Sequence, residues 1–476
     1  MALIDMTSKG PARTKSWVPE FSPHQLLVLG FAGCIAVGTV LLRLPVSAAR
    51  EALSWTDALF TSTSAVCVTG LVVVDTGKDL SGFGQAVTLA LFQIGGLGIM
   101  TFSTLFLLAA GGRPSLAAMT ATGEALGTSR MKDIRGMVVS VIKLTLAIEA
   151  VAVLLLFVMF VARRSPGDTV AGCGWSALYH SVSAFCNAGF GLHSDSLERY
   201  RGAWDVNLVI VSLIIVGGIG FPVLRDLRRY FRSPRKGGKR KALGLHSKIV
   251  LITTALLLVL GTVSFLATEW GNENGLGALP VHGRFLAAFF QSTTARTAGF
   301  STLSIGSLAP ATLFFMVFLM FVGASPCSTG GGVKTTTLGI LGVLAVSKLR
   351  GREEPTAFNR SIPREVVSRA VTVALLSLLL VVTFIWLLLV AEKSALAAGP
   401  GNGGVSFMQM VFEAISAFGT VGLSTGITPM LGGASKLLLV ALMFVGRLGP
   451  LTVVVSVARR ERPDKVKFPA EQLMVG

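Results

Sequence analysis

The sequence repeats one short pattern four times, reading Phe60-Thr-Ser-Thr-Ser-Ala-Val-Cys-Val-Thr-Gly70-Leu71, Tyr179-His-Ser-Val-Ser-Ala-Phe-Cys-Asn-Ala-Gly189-Phe190, Phe289-Phe-Gln-Ser-Thr-Thr-Ala-Arg-Thr-Ala-Gly299-Phe300 and Phe412-Glu-Ala-Ile-Ser-Ala-Phe-Gly-Thr-Val-Gly422-Leu423. The copies align without a gap. An aromatic residue lies ten positions before each glycine, and a bulky apolar residue follows it. A hydroxyl residue lies six positions before the glycine, at Ser64, Ser183, Thr293 and Ser416. Since the glycines stand 119, 110 and 123 residues apart, the pattern indicates a tandem repeat.

The composition predicts an integral membrane protein. Of the 476 residues, 52% are hydrophobic and 14% are charged, whereas a soluble domain carries about 25% charged residues. The five cysteines are odd in number and scattered, which excludes a secreted disulfide scaffold. The apolar run from Gln25 to Leu42 lacks a small-residue cleavage site, so we expect no removed signal peptide and a cytoplasmic amino terminus.

Eight charge-poor stretches are near the length that crosses a bilayer. They are residues 25–44, 82–110, 137–162, 205–224, 248–268, 310–346, 369–391 and 436–458. The segment from Arg225 to Lys248 holds ten Lys or Arg against one acid, which marks the cytoplasmic side. An even number of spans then predicts that both termini are cytoplasmic in a multi-pass plasma-membrane protein. The net charge of +18 is thereby explained by topology and by attraction to membrane lipid, and we expect no nucleic-acid partner.

Each repeated pattern lies between two predicted spans and is too short to cross the membrane, which favours a re-entrant segment. A second glycine also repeats, at Gly95, Gly217, Gly323 and Gly446. We therefore predict an all-α membrane protein with four tandem helix, pore-helix, helix units in pseudo-fourfold symmetry around one ion pore. The predicted segments are an amino-terminal segment (1–24), unit 1 (25–112), a cytoplasmic linker (113–136), unit 2 (137–228), a basic linker (229–247), unit 3 (248–347, with an intramembrane loop at 323–333), a linker (348–368), unit 4 (369–458) and a cytoplasmic tail (459–476).

The repeated glycines suggest how such units handle an ion. Glycine adopts dihedral angles closed to other residues, and a ring of backbone carbonyl oxygens replaces the hydration shell of an alkali cation. The carboxyl ends of the short helices add partial negative charge. The predicted selectivity filter is Val68, Thr69, Gly70, Asn187, Ala188, Gly189, Thr297, Ala298, Gly299, Thr420, Val421 and Gly422. Potassium is expected at the carbonyl groups of Thr69, Gly70, Ala188, Gly189, Ala298, Gly299, Val421 and Gly422.

These four loops resemble the filter loops of the Trk/Ktr/HKT superfamily of cation transporters. Two further segments carry the resemblance, Gly323-Ala-Ser-Pro-Cys-Ser-Thr-Gly-Gly-Gly-Val-Lys-Thr-Thr-Thr337 and Phe444-Val-Gly-Arg-Leu-Gly-Pro450. It extends from residue 23 to about 460 and is nearest to the Ktr membrane subunit, since Trk subunits begin with two additional spans. The resemblance implies a homodimeric potassium uptake pore, gated by a cytoplasmic ring of nucleotide-binding subunits and activated by sodium in some members. In sodium-selective plant members a serine replaces the first filter glycine, so Gly70 favours potassium.

A gate is predicted in the long uncharged stretch from Thr297 to Val333. As one helix these 37 residues would extend about 55 Å, so the chain must turn or break. We expect the break at 323–333, beneath the filter and obstructing the pore. An ordinary glycine kink is the alternative; a nucleotide P-loop fails because Val333 separates Gly332 from Lys334. The predicted gate residues are Gly323, Ser325, Pro326, Gly330, Gly331, Gly332, Lys334 and Arg447, the last being a positive gate element or else part of a packing salt bridge.

Other charged residues give weaker signals. Arg296 and Glu413 are expected to be structural braces, with direct ion ligands as the alternative, and Asn187 either shapes the ion sites or supports them. Lys143 and Glu149 are unexplained, although Glu149 is the only candidate for the second ion site of a coupled potassium symporter with sodium or protons.

The sequence contains no sign of catalysis. The five histidines lie far apart, and no nucleophile motif or dinucleotide fingerprint is present, so we expect neither an enzyme nor an organic cofactor in this chain. Nucleotide regulation is then expected from a partner docked on the basic residues 225–248 and 348–369, for which a lipid-facing patch is the alternative. A non-transporting membrane scaffold would not need four such glycines.

Overall fold

The computed structural model describes residues 23–98, 131–165, 167–232, 242–398 and 404–457. The predicted segments outside these ranges include most of the amino-terminal segment, the end of unit 1 with most of the linker after it, and the tail. The regular secondary structure of the described residues is helical apart from two strands of two residues each. The helices are α1 (Pro23–Arg43), α2 (Trp55–Val66), α3 (Gly82–Leu97), α4 (Met131–Ala162), α5 (Val170–Cys186), α6 (Trp204–Gly218), α7 (Phe221–Arg232), α8 (Leu245–Glu269), α9 (Val281–Thr294), α10 (Pro310–Phe321), α11 (Thr335–Leu349), α12 (Arg364–Ala391), α13 (Lys393–Ala398), α14 (Phe407–Gly419), α15 (Gly433–Leu448) and α16 (Pro450–Val457). The strands β1 (Thr356–Ala357) and β2 (Arg360–Ser361) pair antiparallel.

Four helices, α1, α4, α8 and α12, are long and apolar enough to cross a membrane. Their outward faces carry large apolar side chains such as Leu154 and Leu379, each 65% exposed, as expected for contact with lipid tails. The chain is therefore a multi-pass membrane protein. A fifth span is reached if the bent pair α6 and α7 counts as one.

Three of the predicted spans are not continuous helices in the described residues. The predicted span 205–224 is interrupted after Gly218, and α7 leaves at 103° to α6. In the spans predicted to begin at residues 82 and 436, the helix likewise ends early, at Leu97 and at Leu448 respectively. At all three breaks a glycine has positive φ, namely Gly98 (83°), Gly220 (88°) and Gly449 (85°), and an α-helix cannot continue through that conformation. The predicted break of residues 310–346 is present, between α10 and α11.

The short helices α2, α5, α9 and α14 are buried inside the long ones. Ser54, Thr169 and Ser406 accept hydrogen bonds from the first turns of α2, α5 and α14, which explains where these helices begin. Their large aromatic residues Phe60, Tyr179, Phe290 and Phe412 are completely buried. In α9 the buried aromatic residue is Phe290. The gap-free alignment instead selects its neighbour Phe289, which is only partly buried.

The alignment is thus offset by one residue in α9. The residue before the glycine donates its backbone N–H to the carbonyl five positions back in three copies (Thr69 to Ser64, Ala188 to Ser183, Val421 to Ser416), but four positions back in the third (Ala298 to Thr294). Helix α9 therefore reaches its glycine with one residue fewer, and Thr294 replaces Thr293 as the aligned hydroxyl.

Candidate functional site

The structure brings the four repeated glycines together in a closed ring. A β-carbon added to Gly70 would lie 2.5 Å from the Ala188 carbonyl oxygen, and one on Gly189 would lie 2.9 Å from that of Ala298. The series continues from Gly299 to the Val421 oxygen (2.5 Å) and from Gly422 to the Thr69 oxygen. Each glycine therefore faces the carbonyl that precedes the next glycine. No other residue fits, because real β-carbons do not approach backbone oxygens so closely.

The backbone of the four segments also repeats. The glycines have φ of 89°, 70°, 79° and 90° in chain order. The residues two positions earlier are left-handed as well, at Val68 (56°), Asn187 (58°), Thr297 (68°) and Thr420 (49°). Left-handed φ in a side-chain-bearing residue costs about 1 kcal/mol or more, and a β-branched residue is strained most. Four such residues at equivalent positions indicate a conformation maintained for function.

Hydroxyl groups tie three of the four segments to their short helices, whereas Ser183 Oγ in the second makes no hydrogen bond to a described residue. Ser64 and Ser416 each accept the N–H of the glycine six residues on, at 3.1 Å. Ser64 Oγ also donates to the Leu71 carbonyl at 2.7 Å, and Thr294 Oγ1 makes the same bond to Phe300 at 2.6 Å. The carbonyl oxygens of the ring are therefore held from behind by the helices whose negative dipole ends face them.

A funnel of about 500 Å³ opens on one side of the ring. Gly189, Gly299 and Gly422 form part of its lining, together with the acidic residues Asp75, Asp79, Asp195 and Glu198. Burial raises the pKa of Asp195, but the hydrogen bond and charge of Arg199 outweigh this, so the pKa lies below its usual value. Carboxyl groups therefore line the funnel, and three of them form ion pairs, Asp75 with Lys78, Asp79 with Arg50 and Asp195 with Arg199.

The glycine-rich loop between α10 and α11 lies at the other side of the ring. A β-carbon on Gly330 would overlap Thr297 Oγ1, and one on Gly331 would overlap Thr420 Oγ1, so both glycines contact the left-handed residues of the ring segments. Gly331 N–H also donates to Thr420 Oγ1 at 3.0 Å.

The loop is held by neighbours from the second and fourth repeats. Ser325 N–H donates to the Gly218 carbonyl at 3.0 Å, and Thr329 Oγ1 donates to that of Phe185 at 3.2 Å. On the other side, Gly332 N–H donates to the Gly446 carbonyl at 3.3 Å. These hydrogen bonds fix the loop in place on the side of the ring opposite the funnel.

Three basic side chains hold the loop by its carbonyl groups. Arg447 donates to the carbonyl oxygens of Thr329 and, at 2.5 Å, of Gly95 in α3. Lys334 Nζ donates to the Gly330 carbonyl at 2.8 Å, and Arg296 Nη2 to that of Gly323 at 3.4 Å. All of the residues predicted for the gate therefore lie on this loop or against it. Thr329 was missed by the sequence reasoning, since a threonine between two glycine groups carries no distinctive signal.

Glu413 acts as a brace, as expected. Its Oε1 accepts from Ser424 Oγ (2.7 Å) and from both the backbone N–H (2.9 Å) and the hydroxyl of Thr425, and its Oε2 accepts from Thr428 Oγ1 (2.8 Å). These bonds fix the chain just after Gly422. Asn187 is completely buried, and its side-chain amide has no hydrogen bond to a described residue. Within the described ranges, no group of three His, Cys, Asp or Glu side chains could hold a metal ion.

Comparison with known proteins identifies the family of this chain. The profile of the TrkH family, described as cation transport protein, matches residues 33–466. Ktr system potassium uptake protein B of Bacillus subtilis (strain 168) is 39% identical over 97% of this chain and 98% of its own length. The potassium/sodium uptake protein NtpJ of Enterococcus hirae is 38% identical over 96% of this chain and 98% of its own.

A solved structure shares the fold. The potassium transporter TrkH of Vibrio parahaemolyticus superimposes with a TM-score of 0.66 at 19% identity, over 94% of this chain and 87% of that one. The resemblance seen in the filter and gate segments is confirmed over nearly the whole sequence, and the family is one of membrane transporters rather than enzymes. This chain belongs to the TrkH family of cation transport proteins.

Proposed function

We propose that this protein takes up potassium across the plasma membrane through a channel-like pore along the axis of the glycine ring. The single observation that supports this most strongly is the closed order of the ring, in which every glycine faces the carbonyl before the next. The carbonyl groups of residues 69 and 70, 188 and 189, 298 and 299, and 421 and 422 would replace the water around K⁺. The names of the two relatives, both uptake proteins for potassium, favour the same ion.

The finer architecture belongs to this proposal. Eight spans would place both termini in the cytoplasm, with the acidic funnel outside and the glycine-rich loop inside. The four repeats would then be pseudo-fourfold units around the pore. The membrane potential drives entry, because one charge crossing 100 mV gains about 2.3 kcal/mol.

In this proposal the loop 323–333 is the gate. It crosses the pathway between α6 and α15, and its carbonyl groups are held by Arg296, Lys334 and Arg447. Opening would require the loop to leave Thr420 and Arg447. A cytoplasmic nucleotide-binding ring on the basic residues of 225–248 and 348–369 would move it, and a homodimer and sodium activation complete the expectation from the family.

A coupled symporter of potassium with sodium or protons is the second candidate, and one observation favours it. The carboxyl group of Glu149 is buried within the apolar helix α4, where a second ion could bind. The two mechanisms differ in what drives transport.

Flux into proteoliposomes containing this chain tests the proposal. Uptake of potassium, rubidium, sodium and lithium is compared under an imposed potential, with and without a proton gradient. Flux that prefers potassium and rubidium and ignores the proton gradient supports a pore. Equal passage of sodium contradicts the filter, and flux that requires a second gradient selects the symporter. If the chain alone is silent, the same assay with its cytoplasmic partner decides.

A further inference from the structure

Glu149 is a buried acid that pairs with no basic residue in the part of the chain that the structure describes. Its side chain lies in α4 within the apolar segment Val138–Ala162, and the residue is only 4% exposed. Oε2 accepts from Gln93 Nε2 at 3.2 Å, and Oε1 has no hydrogen bond to a described residue. No ion pair among the described residues involves Glu149. An ionised carboxylate in such a place would cost several kcal/mol, so the group is expected to carry a proton instead.

In the described part of the surrounding helices, no cation forms an ion pair with Glu149. Helix α4 packs on α5 and α6, and Gln93 belongs to α3, which contains no charged residue. The titratable groups of α5 and α6 are Cys173, Tyr179, His180, Cys186 and Asp205. Of these, Asp205 is paired with Arg163 at 2.8 Å, and Nδ1 of His180 lies 2.8 Å from the carbonyl oxygen of Ser176. On α4 itself Lys143 is exposed.

Gln93 connects this acid to the glycine ring. Its amide donates to Glu149, and its Oε1 accepts from Cys186 Sγ at 3.3 Å. Cys186 is completely buried, ends α5 and directly precedes Asn187. A second bond, from Ser181 Oγ to the Glu149 carbonyl oxygen at 3.1 Å, joins α5 to α4 nearby. Helices α3 and α4 therefore together support the inner end of the second ring segment, which is the end nearer the glycine-rich loop.

The other segments lack this support. Cys67 occupies the same place in the first segment, three residues before its glycine, and its thiol makes no hydrogen bond to a described residue. Thr297 and Thr420 contact the glycine-rich loop instead. Among the left-handed residues Val68, Asn187, Thr297 and Thr420, Asn187 alone has a side-chain amide. That amide has no hydrogen bond to a described residue. The backbone N–H of Asn187 donates to the Ala184 carbonyl at 3.2 Å, and the bond from the neighbouring Cys186 to Gln93 adds support from α3.

We propose that Glu149 is a positioning residue, a protonated acid that fixes the inner end of the second ring segment through Gln93 and Cys186. It thereby contributes to the discrimination between potassium and sodium, and in this respect the inference rests on the proposed function. The acid does not touch the ion. It keeps Asn187 and the carbonyl of Ala188 at the distance that suits potassium.

Substitutions at the three linked positions separate positioning from a purely structural role. Glu149→Gln retains a neutral group whose oxygen accepts from Gln93, so it should keep the wild-type rubidium-to-sodium flux ratio. Glu149→Ala, Gln93→Ala and Cys186→Ala each break the connection. Each should lower that ratio roughly fivefold, the effect of losing one buried hydrogen bond.

Glu149→Ala combined with Gln93→Ala should do no more than either alone. Cys186→Ser keeps the donor and should restore selectivity, and Cys67→Ala is the matched control without the connection.

The experiment measures the flux ratio in proteoliposomes and the infrared difference spectrum between wild type and Glu149→Gln. A carbonyl band of a protonated carboxylic acid, present in the wild type at neutral pH and absent in the variant, is the expected result. Loss of selectivity in Glu149→Gln equal to that in Glu149→Ala, absence of the acid band, or equal effects of Cys186→Ala and Cys67→Ala would overturn the proposal. If Glu149→Ala does not fold, the cysteine pair and the spectrum still decide. A wild type that conducts no potassium even with its cytoplasmic partner would count against the proposed function, whereas a selective wild type with selective variants contradicts only the role of Glu149.

Discussion

Gly422 faces the carbonyl oxygen of Thr69, and this contact between the last and the first repeat closes the ring. The same two repeats are joined on the funnel side, where Lys436 Nζ lies 2.8 Å from Asp57 Oδ1. A ring of backbone oxygens discriminates between ions only if its members cannot move apart. The closure by a direct backbone approach is therefore the feature on which the proposed selectivity depends.

A methyl group at Gly422 should open the ring. Gly422→Ala places a β-carbon against the Thr69 oxygen at a residue whose φ is 90°, so both sterics and backbone conformation oppose it. We expect at least a tenfold fall in rubidium flux, or a loss of preference over sodium, since a displacement of 1 Å changes ion coordination. Gly33→Ala is the control, because nothing lies within 4 Å of its β-carbon. Selective flux at the wild-type rate in Gly422→Ala would contradict a ring that tolerates only glycine.

Removing the side chain of Arg447 should raise basal flux. The guanidinium group ties Thr329 of the loop to Gly95 of α3, and in the proposed function it also places a positive charge on the pathway. Arg447→Ala removes both obstacles, so more rubidium should enter in the absence of any partner. Arg163→Ala, which breaks an exposed ion pair with Asp205, is the matched control. Flux and gating equal to wild type in Arg447→Ala would exclude a gating role.

The brace at Glu413 should require its charge. Its carboxylate accepts four hydrogen bonds within the chain after Gly422, and an amide can accept at only one of its two positions. Glu413→Gln should therefore cost about 1.5–3 kcal/mol of stability, the usual value for hydrogen bonds to a charged group. The thermal midpoint of the purified protein measures this, with the exposed Glu365→Gln as control. An unchanged midpoint would mean that these bonds contribute nothing to the loop.

The pH dependence of stability should contain a contribution from His193 at the funnel. Burial lowers its pKa from 6.5 to about 4, and the charge of Arg199 acts in the same direction. Because the folded value lies below the unfolded one, the unfolded chain binds the proton more readily. The stabilisation is complete above pH 6.5 and is lost as the pH falls towards 4. His193→Gln should make the thermal midpoint change less with pH between 6.5 and 4. The same change in wild type and variant would show that His193 does not contribute.

The sequence predicted the ring residues because their glycines have no tolerated substitute and therefore mark each repeat. It could not reveal the one-residue offset in α9, since an alignment fixed on Gly299 does not distinguish a bond to the fourth residue back from one to the fifth. Hydropathy likewise extended the predicted spans past Gly98, Gly220 and Gly449, because an apolar glycine with positive φ ends a helix without reducing hydrophobicity. Gln93 was overlooked as a single polar residue in an apolar stretch, and only the packing of α3 on α5 shows what it connects.

Diffraction from crystals grown in rubidium, recorded at the rubidium absorption edge, tests the central claim most directly. The proposed function requires anomalous peaks on the axis of the ring, within coordination distance of the carbonyl oxygens of Thr69, Ala188, Ala298 and Val421. These peaks should disappear when sodium replaces rubidium, and Gly422→Ala crystals should lack them. Rubidium bound elsewhere, with no peak inside the ring, would contradict the assignment of these glycines to the ion pathway.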